Sequence, residues 1–281
     1  MGDAHDIGRI IFEAFSGIAD KHGFPREFPS VDIGVNLASS FLSHPGFYSV
    51  VAEDKSDNNR VVGSNFLDER SGIVAGVGPI TVDPQFQDKG VGRQLMINVL
   101  EEAKNKNYPA IRLLQASYHN RSLALYSSLG FDIREPISTM QGKPIRAVIP
   151  GRSVRMATDD DLGHCNEVCK AIHGHDRDGE LRDGIKQGTA KVVIQGDKIT
   201  GYTSGLAYFS HSVGFTNDDL KALIASATDG YGGAGILIPS RNTGLLRWCL
   251  GNGLRLVHQL TLMTIGLYNE PAGSYMPSVL Y

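Results

Sequence analysis

The chain has 281 residues, of which 41% are hydrophobic and 20% charged, with a formal net charge of -3. These proportions exclude a disordered or fibrous protein, and the length suits two domains of ordinary size. The longest run of like charge is Asp159-Asp160-Asp161, so there is no cationic footprint for a phosphodiester backbone and nucleic acid is not an expected partner.

The opening, MGDAHDIGRIIFEAF, has no basic segment followed by an apolar run. No apolar stretch approaches the roughly 20 residues needed to span a bilayer. The expected setting is therefore the cytoplasm, away from membranes. The three cysteines, Cys165, Cys169 and Cys249, are odd in number and lack the paired spacing of a zinc site or a disulfide frame, which fits a reducing compartment.

Taken in chain order, the pattern predicts helices near 7–21 and 31–43, then strands over Phe47 to Ala52 and Arg60 to Leu67 joined by the turn-forming Ser56-Asp57-Asn58-Asn59. Ser71-Gly72 turns the chain into a third strand, Ile73 to Val82, completing an antiparallel meander. A helix from Gly90 to Lys106, a strand from Ala110 to Gln115, a helix from Asn120 to Leu129 stopped by Gly130 and a strand to Met140 follow. The order predicts an α/β fold with a mixed sheet. Pro144, Pro150 and Gly151 place a linker at 141–152.

The second half repeats this plan. Pairing Gly130 with Gly253 also pairs Phe131 with Leu254, Thr139 with Leu262 and Met140 with Met263, while Arg60-Val61-Val62-Gly63-Ser64 matches Lys198-Ile199-Thr200-Gly201-Tyr202. An internal duplication is expected, with domains at 1–145 and 152–281. Its period of roughly 130 residues is too long for a solenoid. Val154 to Thr158 reads as a strand leading into a helix begun near Thr158 or Asp159, whereas the first half opens directly at a helix with Asp3-Ala4-His5-Asp6. The first domain is thus expected to lack its first strand, through a truncated N-terminus, and to leave a sheet edge open.

The most informative segment is Gly78-Pro79-Ile80-Thr81-Val82-Asp83-Pro84-Gln85-Phe86-Gln87-Asp88-Lys89-Gly90-Val91-Gly92-Arg93, which runs from a strand into a helix. Gly90 and Gly92 let backbone amides point at a bound group, and the helix adds the partial positive charge of its N-terminus. Lys89 and Arg93 add cationic charge within one turn; Asp88 is expected to face solvent. The segment resembles the Q/R-x-x-G-x-G/A acetyl-CoA loop of the GNAT acetyltransferase superfamily, with Ile80-Thr81-Val82 at the strand end that pairs with the pantetheine arm. Leu125-Tyr126-Ser127-Ser128-Leu129-Gly130-Phe131 is similar to that family's L-Y-x-x-x-G-F on the helix after the next strand. Where the family usually has Asn, seven residues before the Tyr, this chain has His119, with Asn120 displaced by one, and the choice between them stays open.

The resemblance, which covers about residues 1–140, implies direct transfer of acetyl from acetyl-CoA to a primary amine of a small-molecule or amino-acid-like acceptor, through a ternary complex. The expected acetyl-CoA contacts are Ile80, Thr81, Val82, Gln87, Asp88, Lys89, Gly90, Val91, Gly92 and Arg93, with His119 and Asn120. The leaving thiolate, whose conjugate acid has a pKa of about 8.5 by analogy with cysteine, calls for a proton donor; Tyr126 is the candidate. A base for the attacking amine is not apparent, since Ile73 to Ile80 offers no carboxylate where many relatives have one. Asp68, Glu69, His119 and a water chain remain open.

In the second half the corresponding junction reads His211-Ser212-Val213-Gly214-Phe215-Thr216-Asn217-Asp218-Asp219-Leu220, a good helix start capped by Thr216 or Asn217 and a poor pyrophosphate site. Cys249 stands at the position of Tyr126 and Asn242 at the family's Asn. The second domain therefore reads as a degenerate copy, the tandem layout resembling that of bacterial-type proteins. Gly230-Tyr231-Gly232-Gly233-Ala234-Gly235 satisfies G-x-G-x-x-G, yet it precedes the strand Ile236 to Pro239 instead of opening a helix. His173, His175 and Asp176 do not amount to an expected metal site. The loop Ile172 to Glu180, with His175, Asp176 and Arg177, is the expected contribution of this half to the acceptor site. Two other readings are carried forward: a non-catalytic acyl-CoA-binding regulatory protein, and a second half that serves structure or homodimerisation, with an apolar final strand from Leu256 to Leu267.

Overall fold

The computed structural model describes residues 3–281. The first half runs α1 (Ala4–His22), α2 (Val31–Ser43), β1 (Phe47–Asp54), β2 (Arg60–Asp68), β3 (Val74–Val77), β4 (Thr81–Val82), α3 (Val91–Asn105), β5 (Ala110–Ala116), α4 (Asn120–Ser128) and β6 (Asp132–Gln141). The second half runs β7 (Ser153–Met156), α5 (Leu162–His173), α6 (Asp178–Lys186), β8 (Lys191–Gln195), β9 (Lys198–Thr203), β10 (Ser212–Gly214), α7 (Asn217–Ala225), β11 (Ile236–Pro239), α8 (Thr243–Gly251), β12 (Arg255–Gly266) and β13 (Ser274–Met276). Apart from β7 at its front, β13 at its end and a single β10 where the first half has β3 and β4, the second half repeats the order of the first.

Two departures from the sequence expectation matter for the site. The single strand predicted over 73–82 is broken into β3 and β4 around Gly78 and Pro79, whose peptide bond is cis. Pro79 has no N–H to give to a ladder, so pairing lapses there. The apolar strand expected to close the chain is β12, and it is followed by β13, which pairs antiparallel with β10.

One of the two sheets crosses the boundary between the halves. One has the order β1-β2-β3-β5-β12-β6-β11, with β4 also on β2; the other runs β13-β10-β9-β8-β7. Within the first, β12 lies antiparallel to β5 from Leu260↔Ala116 to Gly266↔Ala110 and to β6 from Arg255↔Gln141 to Thr264↔Asp132. On the far side of β6 lies β11, also antiparallel. Each half thus has the other's last long strand inserted beside its own. β1, the first strand of the chain, forms the edge of this sheet.

The cores follow the periodicity. Ile7, Ile10 and Ile11 recur along one face of α1 and pack with Ala38 and Phe41 of α2 against Phe66 of β2. Each buried isoleucine contributes about 1.5–3 kcal/mol relative to exposure, which anchors α1 and with it the loop to α2. Leu67 of β2, Met96 and Val99 of α3, Leu113 of β5 and Met263 of β12 form a second core that holds the α3 helix on the sheet. The last residues return to the first half: a Cβ on Gly76 would overlap the Leu280 carbonyl oxygen, so the chain crosses β3 only because that residue has no side chain. Among the described residues no helix is long and apolar enough to cross a membrane.

Candidate active site

β3 and β5 run parallel and pair only from Val74↔Ala110 to Gly76↔Arg112. Beyond Gly76 the chain stays with β2 through β4 while β5 continues toward α4, and a wedge opens between them. A cavity of about 160 Å³ occupies the wedge. One wall is Val77, Gly78, Pro79, Ile80 and Thr81 and the other is Leu113 to Ala116; His119, Ser122 and Tyr126 close one side, and Phe15, Ile18 and Glu27 the α1 side. The second half supplies Tyr208, Phe209, Leu260, Val279 and Leu280.

Beyond β4 the chain makes one short turn and enters α3. Gly90 sits at the N-cap in the left-handed region, φ 83°, and no side chain caps the helix. Gln94 N–H is given to the Gly90 carbonyl at 3.1 Å, so the amides of Val91, Gly92 and Arg93 have no partner within the helix. A Cβ on Gly92 would meet Val82 Cγ2 at 3.7 Å, ordinary contact, so it is the backbone form of Gly90 that requires glycine here. Gln87 turns inward, its amide donating to the Val82 carbonyl at 3.3 Å. Asp88 is exposed and pairs with Arg121 at 2.7 Å. Lys89 lies 4.5 Å above the Phe86 ring, and Arg93 Nη1 donates to Ser128 Oγ at 3.0 Å. Open amides, two exposed cations and the helix dipole together suit a pyrophosphate.

Of the other sequence candidates, Ile80, Thr81, His119 and Tyr126 line the cavity, whereas Val82 and Asn120 do not. Asn120 is exposed at the start of α4. Tyr126 is buried within the α3–β5 core, and burial pushes its hydroxyl above the ordinary value of 10. Burial also lowers the imidazole of His119. Ser122 Oγ donates to the His119 carbonyl at 2.9 Å and lies 2.9 Å from its Nδ1, which places the ring proton on Nδ1 and leaves Nε2 as an acceptor.

The carboxylates considered from sequence lie elsewhere. Asp68 is held by Arg70 at 2.6 Å and Glu69 by Lys106 at 2.7 Å, and neither lines the cavity. The acid that does is Glu27, in the loop between α1 and α2. Its Oε1 lies 3.3 Å from His258 Nε2 of β12 and accepts from the Tyr208 hydroxyl at 3.4 Å. Tyr118 stands beside it, its ring 5.6 Å from that of His258 and its hydroxyl pushed up to about 12 by burial. No motif in the sequence around Glu27 marks it out.

The loop expected to reach the acceptor does not line this cavity. His173 and His175 turn into the protein, where His173 Nε2 lies 3.0 Å from His211 Nε2 and burial holds all three rings neutral, His175 falling to about 4. Arg177 pairs with buried Glu180. Among the described residues no group of His, Cys, Asp and Glu is arranged to hold a metal.

The corresponding features of the second half are closed. Asp219 is fully buried; its Oδ2 accepts from the Thr216 amide at 2.9 Å and its Oδ1 from Arg152 Nε and Thr200 Oγ1, both at 2.6 Å. Thr216 Oγ1 in turn accepts from the Asp219 amide at 3.4 Å, a side-chain cap that α3 lacks. Where the wedge would form beside β10, β13 is paired instead. Cys249 of α8, at the place of Tyr126, lies in a hydrophobic core.

Residues 9–131 match the sequence profile described as the acetyltransferase (GNAT) family. Among solved structures, a proposed acetyltransferase from Pyrococcus horikoshii is similar over 97% of this chain and 91% of its own, with a TM-score of 0.74 and 17% identity. A GCN5-related N-acetyltransferase from Sphaerobacter thermophilus is similar over 96% of this chain and 94% of its own, with a TM-score of 0.61 and 13% identity. At these identities the likeness bears on the fold, and it extends through both halves. A search of curated proteins found no match.

Proposed function

From the premise that residues 9–131 are a domain of the acetyltransferase (GNAT) family, we propose that the chain is an N-acetyltransferase that moves acetyl from acetyl-CoA to the primary amine of a small molecule. The observation that carries this reading is the wedge between β4 and β5, on the strand that leads through one short turn into the uncapped α3 terminus, with Tyr126 closing one side and Glu27 the α1 side. The donor's pyrophosphate is assigned to the amides of Val91, Gly92 and Arg93 with Lys89, and its pantetheine arm to the wedge along Ile80 and Thr81. Val82, Gln87, Asp88 and Asn120 are left as neighbours of the donor rather than lining residues.

In the proposed reaction the acceptor nitrogen attacks the thioester carbonyl, an N–C bond forms, the C–S bond breaks and coenzyme A leaves as thiolate. The amine's surplus proton passes to Glu27, directly or through water. Tyr126 donates a hydrogen bond to the developing thiolate. Because burial raises its pKa well above the roughly 8.5 of a thiol, it stabilises that charge without surrendering its proton. The second half is read as a degenerate copy that walls the acceptor end.

The test is calorimetric titration of acetyl-CoA into the wild type and a Gly90→Glu, Gly92→Glu variant, with circular dichroism as the check on folding. One site per chain, lost in the folded variant, supports the reading; undiminished binding in the variant, or none in the wild type, overturns it.

A further inference from the structure

Resting on the reading of this cavity as the acceptor site, we infer that the acceptor is an amine carried on an apolar body with no carboxylate or phosphate of its own. Glu27 is the one charged residue among those lining the cavity; no Lys or Arg lines it. Around Glu27 the wall is aromatic: Phe15, Phe28, Tyr118, Tyr208 and Phe209. Phe28 is 5% exposed and Tyr208 4%, while Glu27, Phe15, Tyr118 and Phe209 are half-buried, so the wall is partly withdrawn from water.

An ammonium entering here meets a carboxylate and the faces of aromatic rings, both of which favour a cation. A zwitterionic amino acid brings its carboxylate into the same space, where no cation stands to receive it. His119, which lines the opposite side, is held toward its neutral form by burial. Burying an unpaired anion beside a carboxylate carries both a desolvation cost and a repulsion. The site therefore selects against amino acids and nucleotides and in favour of small apolar monoamines. Glu27 does two things in this account: it receives the ammonium and then takes its proton. His258 and Tyr208, both from the second half, hold the carboxylate from behind, which makes them positioning residues.

The test uses a matched pair, phenethylamine and phenylalanine, which differ by one carboxylate. Each is titrated into the full chain with and without coenzyme A, and each is assayed for acetylation by thiol release from acetyl-CoA. Phenethylamine is expected to bind at least about tenfold more tightly than phenylalanine, and Glu27→Gln to weaken phenethylamine by a similar factor while leaving coenzyme A affinity and the binding of neutral phenethyl alcohol unchanged. Equal or tighter binding of phenylalanine, or a Glu27→Gln variant that binds phenethylamine as the wild type does, overturns the inference. Because the amine titration needs no turnover, selective amine binding without acetylation would count against the transferase reading and leave this inference standing.

Discussion

Tyr126 and Glu27 face one cavity from opposite ends, and they reached it by different routes. Tyr126 belongs to a local run, Leu125 to Phe131, whose spacing on one helix is visible in the sequence, and its ring packs with Phe131 in the α3–β5 core. Replacing it by Phe keeps the ring and removes the hydroxyl alone. The expected result of Tyr126→Phe is a fall in kcat of roughly 10²-fold, the scale of one positioned donor to a developing anion, with acetyl-CoA affinity within about twofold of wild type; steady-state kinetics beside calorimetry would show it. Glu27 was not legible. Nothing near it in the chain marks it, and what singles it out is the approach of Tyr208 and His258 from the other half. Asp68 and Glu69 drew attention because they are close in sequence to the strand, but their nearest charges are Arg70 and Lys106, and sequence proximity says little about which way a strand end turns.

At the scale of elements, the informative comparison is between the starts of α3 and α7. Both follow a strand and both lie at corresponding places in the repeated order, yet α3 has no side-chain cap whereas the Thr216–Asp219 capping box of α7 satisfies the Thr216 and Asp219 amides. The same helix terminus is in one case free of any side-chain cap and in the other closed by a capping box. Asp219→Ala is therefore expected to be costly. It strands the guanidinium of Arg152, 9% exposed, and removes the acceptor of the Thr216 amide, one half of the capping box, a loss of about 3–5 kcal/mol for a broken buried pair. In a thermal melt that is a fall in Tm of roughly 6–15 °C, and a change under about 3 °C would show the pair to be incidental. Both helices were legible from their first turns. β13 was not: three residues after a loop give no periodicity to read, and neither the break of β3 from β4 nor the wedge it opens follows from hydrophobic pattern alone.

Across the whole molecule, the repeated order was visible through the Gly130 and Gly253 register, but the exchange of β6 and β12 was not, since alternation of apolar residues says that a strand is buried without saying beside which other strand. The exchange changes what the linker at 142–152 means. It separates two runs of sequence while one sheet passes from half to half. A chain ended at residue 150 loses β12 from between β5 and β6 and is expected to lack a cooperative unfolding transition in urea, whereas residues 152–281 supplied on a second chain should restore one; a truncated chain that melts like an ordinary small domain would contradict this. A further consequence concerns synthesis on the ribosome. β5 and β6 have both been made by residue 141, but the strand that lies between them is complete only at residue 266. At about 5–20 residues per second, the intervening stretch of about 125 residues takes on the order of 6–25 s to emerge. Throughout that interval the nascent first half carries an open seam in its central sheet, a natural place for a chaperone to wait.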